Sequence, residues 1–458
     1  MTGHGAARRD VPEPRAVRFP VEASSASARE VRLDGAAPDH GDAPCPRPET
    51  RDRPRWSALI TGWLALFVIG TDLFVVSPLL PIWRSRFDVS LRTAGLTVTV
   101  FALAYVVAAP AWGRRAVKVS PPAVLVLALS GFAVCNVLTA VAPTFWTLLA
   151  ARVGTGLFVS GATATVFTLV ASSAPQGRRA SWLGIATSGL LSALWAGAPL
   201  GGLVARHTSW RAVFVVLAAF AVLILVAARG IWPDTQAARA VAAPVRRGAV
   251  WRARAVAPTA CWAAAVYGLY TYLSAGLGDR PGWSTAWVNT SLIVYGLCAV
   301  AATFLGGRIA DRHGAARTTW AALLLLAVAD VAFTASLSGA AVTTCLAVAL
   351  LAFAAYTAFP AKQAQLVSDH PSDSAQLMAW NQSAMYLGIT LGSLAGGRIA
   401  DGHFRALPLA CAAVAVFGVA AQVFTVRRRT PAGHAADGEL ISIWSCAVRC
   451  SRSSRSRR

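Results

Sequence analysis

The stretch Thr71-Asp72-Leu73-Phe74-Val75-Val76-Ser77-Pro78-Leu79-Leu80-Pro81 closes an apolar run that begins near Ser57. A run of that length can cross a bilayer as a helix. Inside it sits one carboxylate, Asp72, followed by two prolines that interrupt helix geometry. A charge at that depth is costly unless it is paired, protonated or facing water. Either the helix ends early and leaves Asp72 among the lipid headgroups, or Asp72 is a proton or cation site in a transporter.

Working outward, composition favours the membrane. The chain of 458 residues is 56% hydrophobic and 14% charged, with a mean hydropathy of +0.54. A soluble domain carries about 25% charged residues, so most of this chain belongs in lipid. Residues 1–55 hold ten Arg against nine acids, and residues 427–458 hold eight Arg against two. The other 24 Lys and Arg, against nine acids, fall between apolar runs and not on one face. That distribution suits topology control and attraction to anionic lipid, and no nucleic-acid partner is implied. Of eight cysteines, Cys135, Cys261, Cys298, Cys345 and Cys411 lie in apolar runs as small hydrophobes. Cys446-x3-Cys450 lacks a second ligand pair, so neither a disulfide framework nor a metal site is expected.

Residues 1–56 have no apolar core of signal-peptide length and read as a disordered tail. Spans then fall near 57–80, 92–112, 122–142, 145–171, 180–203 and 211–230. Six more fall near 257–278, 286–306, 319–338, 341–361, 375–396 and 406–426. The basic linker 231–256 divides an N-terminal six-helix bundle (57–230) from a C-terminal one (257–426), and 427–458 is a second, basic disordered tail. With both termini cytoplasmic, the loops and adjoining span ends on that side carry 15 Lys and Arg against 8 opposite. This is the bias of a multi-pass protein of the cell membrane. Gly306-Gly307-Arg308-Ile309-Ala310-Asp311 recurs unchanged as Gly396-Gly397-Arg398-Ile399-Ala400-Asp401, and Gly201-Gly202-Leu203-Val204-Ala205-Arg206 is a weaker copy. A fourth junction, Gly113-Arg114-Arg115-Ala116, precedes Gly201 by about the same 90 residues that separate the exact copies. A three-helix unit recurring at that spacing must alternate in orientation. The expected fold is an all-α integral membrane protein of twelve transmembrane helices, in two halves built from inverted three-helix repeats.

On these motifs the chain resembles the major facilitator superfamily, and within it the twelve-span drug:proton antiporters and sugar-efflux proteins. Gly307-x-x-Ala310-Asp311-Arg312-x-Gly314 matches the family's loop signature. The resemblance implies that Gly307, Asp311, Arg312 and Gly314 form a conformational latch used in alternating access. The first-half loop departs from it, with Val117 where the family has Asp. Arg152-Val153-Gly154-Thr155-Gly156 resembles the family's Arg-x-x-x-Gly signature. Gly197-Ala198-Pro199-Leu200-Gly201-Gly202 resembles a shortened antiporter signature, but a small-residue contact through Gly197, Pro199, Gly201 and Gly202 explains it as well.

Between residues 57 and 430 there is no Glu and only nine Asp. Only Asp72 and Asp330 lie well inside apolar runs. If span 1 leaves the membrane near Pro81, Asp72 is ~14 Å below the outer end and Arg152, in span 4, ~12 Å below it. Matching depth makes Asp72 and Arg152 the expected proton-coupling pair. Asp330 is the runner-up, expected in a peripheral span and bonded to nearby Ser, Thr or backbone. Aromatic and amide side chains that could line a substrate cavity are Tyr105, Trp195, Tyr267, Tyr270, Asn381 and Gln382. The expected function is export of small amphipathic, drug-like molecules in exchange for protons; a sugar or metabolite exporter is the alternative. No catalytic constellation or phosphate loop occurs, so neither an enzyme nor ATP-driven pumping is expected. No cofactor is expected beyond the proton gradient, and the protein is expected to be a monomer.

Overall fold

The structure is a computed structural model, and it describes residues 56–175, 178–232, 248–280, 282–370 and 374–427. The expected tails and residues 233–247 of the expected 231–256 linker lie outside the described residues, while the linker's last residues, from Ala249, are already helical. Eight α-helices precede that linker: α1 (Trp56–Phe74), α2 (Val76–Phe87), α3 (Leu91–Lys118), α4 (Pro121–Val141), α5 (Phe145–Ser173), α6 (Arg179–Ser192), α7 (Ala198–His207) and α8 (Trp210–Ile231). Six follow it: α9 (Ala249–Gly278), α10 (Thr285–His313), α11 (Ala315–Ser336), α12 (Ala341–Asp369), α13 (Ser374–His403) and α14 (Ala406–Arg427). A π-helical turn, Ala193–Gly197, joins α6 to α7. There is no strand among the described residues.

Among the described residues ten stretches, with α1–α2 and α6–α7 each taken as one, are long and apolar enough to cross a membrane. The two that fall short of the expected twelve are α9 and α13, each 30 residues long. Local chemistry sets the helix ends. Ser90, Thr144, Ser209 and Ser284 cap α3, α5, α8 and α10, each accepting a backbone N–H in the first turn. Gly314, at φ +88°, ends α10 in a conformation that favours glycine.

Two expected boundaries are corrected. Span 1 does not leave its helix at Pro81; after a break at Val75 the helix continues to Phe87. Pro78 falls in the first turn of α2, where a missing N–H is tolerated. Helix α12 runs on past residue 361 to Asp369, which brings Lys362 inside it.

Helix pairing repeats along the chain. Before the linker, α1 packs on α6, α3 on α5, α4 on α5 and α4 on α8. After it, α9 packs on α13, α10 on α12, α11 on α12 and α11 on α14. The exact sequence repeat does the same work twice. A Cβ on Gly306 would fall 2.9 Å from the Thr357 backbone, and one on Gly396 would fall 2.9 Å from the Gly268 carbonyl oxygen. Each glycine lets two helix backbones touch.

The two sets of helices meet along α2–α9, α3–α13 and the π turn with α10. The Ser77 hydroxyl donates to the Tyr270 carbonyl at 2.7 Å, and the Thr99 and Ser393 hydroxyls are 2.8 Å apart. Arg84 and Asp279, where α2 and α9 end, form an exposed ion pair at 3.2 Å. All these contacts lie at or toward the end of the bundle that carries Asp88.

Candidate functional site

The site is built on the break between α1 and α2. Pro78 has no N–H to offer the Phe74 carbonyl four residues earlier. That carbonyl accepts instead from the Tyr270 hydroxyl, at 3.4 Å. The expected packing motif supports the other side of the break. A Cβ on Gly197 would lie 2.1 Å from the Thr71 hydroxyl, one on Gly201 2.3 Å from Val75, and one on Gly202 3.1 Å from Pro78. Pro199 lies in the first turn of α7, just beyond the π turn. The glycines therefore let α7 press directly on the interrupted stretch.

Just ahead of the break, Asp72 meets Arg152. Arg152 Nη1 donates to both carboxylate oxygens, at 2.9 and 2.8 Å, and Nη2 lies 3.4 Å from the Asp72 carbonyl oxygen. Both side chains are 0% exposed. The guanidinium sits 4.8 Å from the centre of the Phe101 ring, and Asn136 lies alongside the carboxylate. A buried charge needs a partner of this quality. The headgroup reading of Asp72 is thereby overturned.

The depth argument that paired them is corrected, however. Phe87 of α2 packs against Phe145 of α5, so these two helix ends lie together. Asp72 is fifteen residues from the first and Arg152 seven from the second, so counting from helix ends does not give equal depth.

The sequence holds seven tyrosines and all are buried. Tyr105 stacks on Tyr386 across α3 and α13. Phe74 lies 6.1 Å from Tyr267 and 5.7 Å from Tyr270, and Tyr270 continues to Tyr295 at 5.1 Å. Tyr267 and Tyr270 thus lie at the break, and Tyr105 is linked to them through Tyr386, which interacts electrostatically with Tyr267 and Asp72. Trp195 does not join them: its side chain is 40% exposed, while its backbone packs on Gly296. Asn381 is fully buried and its carbonyl accepts from the Thr259 hydroxyl, while its amide nitrogen has no partner. Gln382 is half-buried with its side-chain oxygen unpartnered.

Asp311 and Arg312 are exposed at the end of α10, and neither forms an ion pair among the described residues. Gly307 is half-buried, with open space at its Cβ position. Asp330 departs from expectation. It is 1% exposed, and Oδ2 has no hydrogen-bond partner, so the expected bond to Ser or Thr is absent there.

One polar group escaped the sequence reading altogether. Lys362, 3% exposed, donates to the side-chain oxygens of Gln365 at 3.2 Å and Gln422 at 2.9 Å. Gln422 in turn donates to Gln365 at 2.7 Å. The available signal was a Lys three residues before a Gln in an apolar helix. A cavity of about 300 Å³ lies between α4 and α8 and is lined by none of the site residues.

The family model of the Major Facilitator Superfamily matches residues 62–301 and 275–449 of the chain. The uncharacterized transporter YtbD of Bacillus subtilis is 29% identical over 355 residues, 75% of this chain and 88% of that one. A chloramphenicol resistance protein of Streptomyces lividans is 30% identical over 280 residues, 57% of this chain and 69% of that protein. Among solved structures, a bacterial homologue of the human lysosomal transporter Spinster superposes with a TM-score of 0.66 at 19% identity. That match covers 84% of this chain and 98% of the other.

Proposed function

Because the chain belongs to the Major Facilitator Superfamily, a family of multi-pass membrane transporters, we propose that it exports small amphipathic molecules in exchange for protons by alternating access. The observation that carries this is the Asp72–Arg152 pair, buried at the break in a helix. Arg152 favours the charged carboxylate and burial disfavours it. A substrate or a helix movement that draws Arg152 away tips the balance, and Asp72 takes up a proton. The tyrosines beside the break supply flat apolar walls with hydroxyl edges, which suit amphipathic molecules better than sugars. The similarity to a chloramphenicol resistance protein supports export of drug-like compounds.

In this reading α9 and α13 complete twelve spans in two six-helix halves, and both termini are cytoplasmic. The Asp88 end then faces outward, and the contacts at Ser77, Thr99 and Arg84 close it. The latch at Asp311 and Arg312 lies at the cytoplasmic end and is disengaged. The protein acts as a monomer in the cell membrane, driven by the proton gradient alone.

The test is transport in inverted vesicles with a preset pH gradient. Adding chloramphenicol, ethidium or sugars in turn should dissipate the gradient for an exchanged substrate only. Asp72→Asn should abolish the response. Retained coupling in that variant refutes the role of the pair.

A further inference from the structure

The chain has a second buried carboxyl that the ion pair does not use. Asp330, in the middle of α11, is 1% exposed although its neighbours Val328 and Val331 are more than half exposed. It points into the bundle, and Oδ2 has no hydrogen-bond partner. It borders a cavity of about 10 Å³ that it shares with Tyr270, Tyr295, Leu351 and Ala355. That volume is about what one water molecule needs. The titratable groups facing Asp330 are the hydroxyls of Tyr270 and Tyr295 and the thiol of Cys411. None is a cation, and no ion pair to Asp330 occurs among the described residues.

An unpaired carboxylate enclosed in this way is costly. The enclosed state therefore holds a proton on it, where Asp72 is instead neutralised by Arg152. The cavity is also tied to the moving part of the molecule. Tyr270, on its wall, receives the Ser77 hydroxyl through its carbonyl and gives its own hydroxyl to Phe74, so it grips both sides of the break. Any shift of α2 against α9 moves that wall.

We propose that Asp330 is a second proton-binding carboxyl, filled when the cavity it shares with Tyr270 and Tyr295 is closed and emptied to water when α2 and α9 part. The step is proton binding alone: carboxylate and proton give the neutral acid, and the proton returns to water on release. The inference rests on the proton-coupled reading above.

Full-length protein decides it by two measurements. Infrared spectra in detergent should show a protonated-carboxyl band that Asp330→Asn removes and Asp72→Asn leaves in place. A band unchanged in Asp330→Asn overturns the proposal, and this measurement needs no substrate. In liposomes, with chloramphenicol and ethidium as probes, Asp330→Asn should lose gradient-driven accumulation yet keep exchange without a gradient, with Asp330→Glu restoring accumulation. Full gradient-driven accumulation in Asp330→Asn overturns the proposal. So does loss of exchange together with accumulation in protein that melts like the wild type, which marks a structural residue. If wild-type protein moves protons with no probe, it is the transport reading that fails, and the infrared band still decides whether Asp330 holds a proton.

Discussion

The helices before the linker and those after it pack in the same pairs, yet their polar interiors differ. The first set spends its buried charges on one ion pair, Asp72 with Arg152, closed from water and backed by Phe101. The second set arranges its buried polar groups differently. It has six of the seven tyrosines, the unpartnered Asp330 oxygen, and Lys362 solvated by two glutamines. A shared pattern of helix contacts fixes where side chains can meet, and residue choice then makes one set electrostatically rigid and the other hydroxyl- and amide-rich. The two meet at Tyr270, a second-set residue whose hydroxyl bonds to the backbone of the first-set break.

The comparison breaks hardest at the ion pair. Replacing Arg152 by Leu leaves Asp72 buried without a counter-charge, and removing one partner of such a pair costs about 3–5 kcal/mol. Thermal melting in detergent should show a large drop for Arg152→Leu. Most of it should be recovered in Asp72→Asn/Arg152→Leu, where neither charge remains. Transport should stay lost in both. No comparable loss is expected for Tyr267→Phe in the second set, which removes a hydroxyl and strands no charge.

Close backbone approaches at glycine are common to both sets: in the first, a Cβ on Gly156 would lie 2.2 Å from the Phe101 carbonyl oxygen and one on Gly189 2.3 Å from that of Trp63. In the second set, Gly388, Gly392 and Gly396 face the carbonyl oxygens of Ala260, Ala264 and Gly268 on α9. A Cβ on Gly392 would lie 2.3 Å from the Ala264 oxygen, and backbone cannot swing aside. A looser first-set position is Gly202, where a Cβ would stand 3.1 Å from the ring of Pro78, a contact that a small shift relieves. Gly392→Ala should therefore cost about 1–3 kcal/mol, within the range for overpacking. Gly202→Ala should cost clearly less. Equal melting temperatures for the two variants would contradict this account of the α9–α13 contact.

Smaller still is Ser77→Ala, which removes the buried 2.7 Å bond to the Tyr270 carbonyl. A hydrogen bond of that kind contributes about 1 kcal/mol. The more informative readout is accessibility. A cysteine introduced at Tyr295 should label faster with a thiol reagent when Ser77→Ala loosens α2 from α9.

Much of this was legible in the residues themselves. Apolar runs marked the helices because a backbone in lipid must satisfy its own hydrogen bonds. The scarcity of acids within those runs singled out Asp72, and the one Arg deep in a span supplied its partner. What was hidden depends on helix ends and on contacts between distant segments. Ending span 10 at residue 361 left Lys362 looking like an interfacial cation, whereas α12 carries it inside to Gln365 and Gln422. Asp330 was expected to bond to a nearby Ser, Thr or backbone group; the Thr334 hydroxyl, one turn on, bonds to the Asp330 backbone carbonyl instead. The convergence of tyrosines from α3, α9, α10, α12 and α13 has no local signature in any one of them.

The weakest link between the two sets is the Arg84–Asp279 pair at the Asp88 end. Its side chains are 47% and 67% exposed, so the attraction is screened by water and salt. An exposed pair of this sort contributes about 0.2–1 kcal/mol. Arg84→Ala should hardly change the melting temperature, in contrast to the loss at Arg152. Its effect should appear in the balance between open and closed forms of that end, because the pair spans α2 and α9 and is broken when they separate. A spin-label or fluorescence distance between the ends of α2 and α9 should shift toward longer values in Arg84→Ala at low salt. At about 1 M salt, where the screening length falls to ~3 Å, wild type and variant should converge. A shift that survives high salt would mean that Arg84 holds the end closed by packing and not by charge.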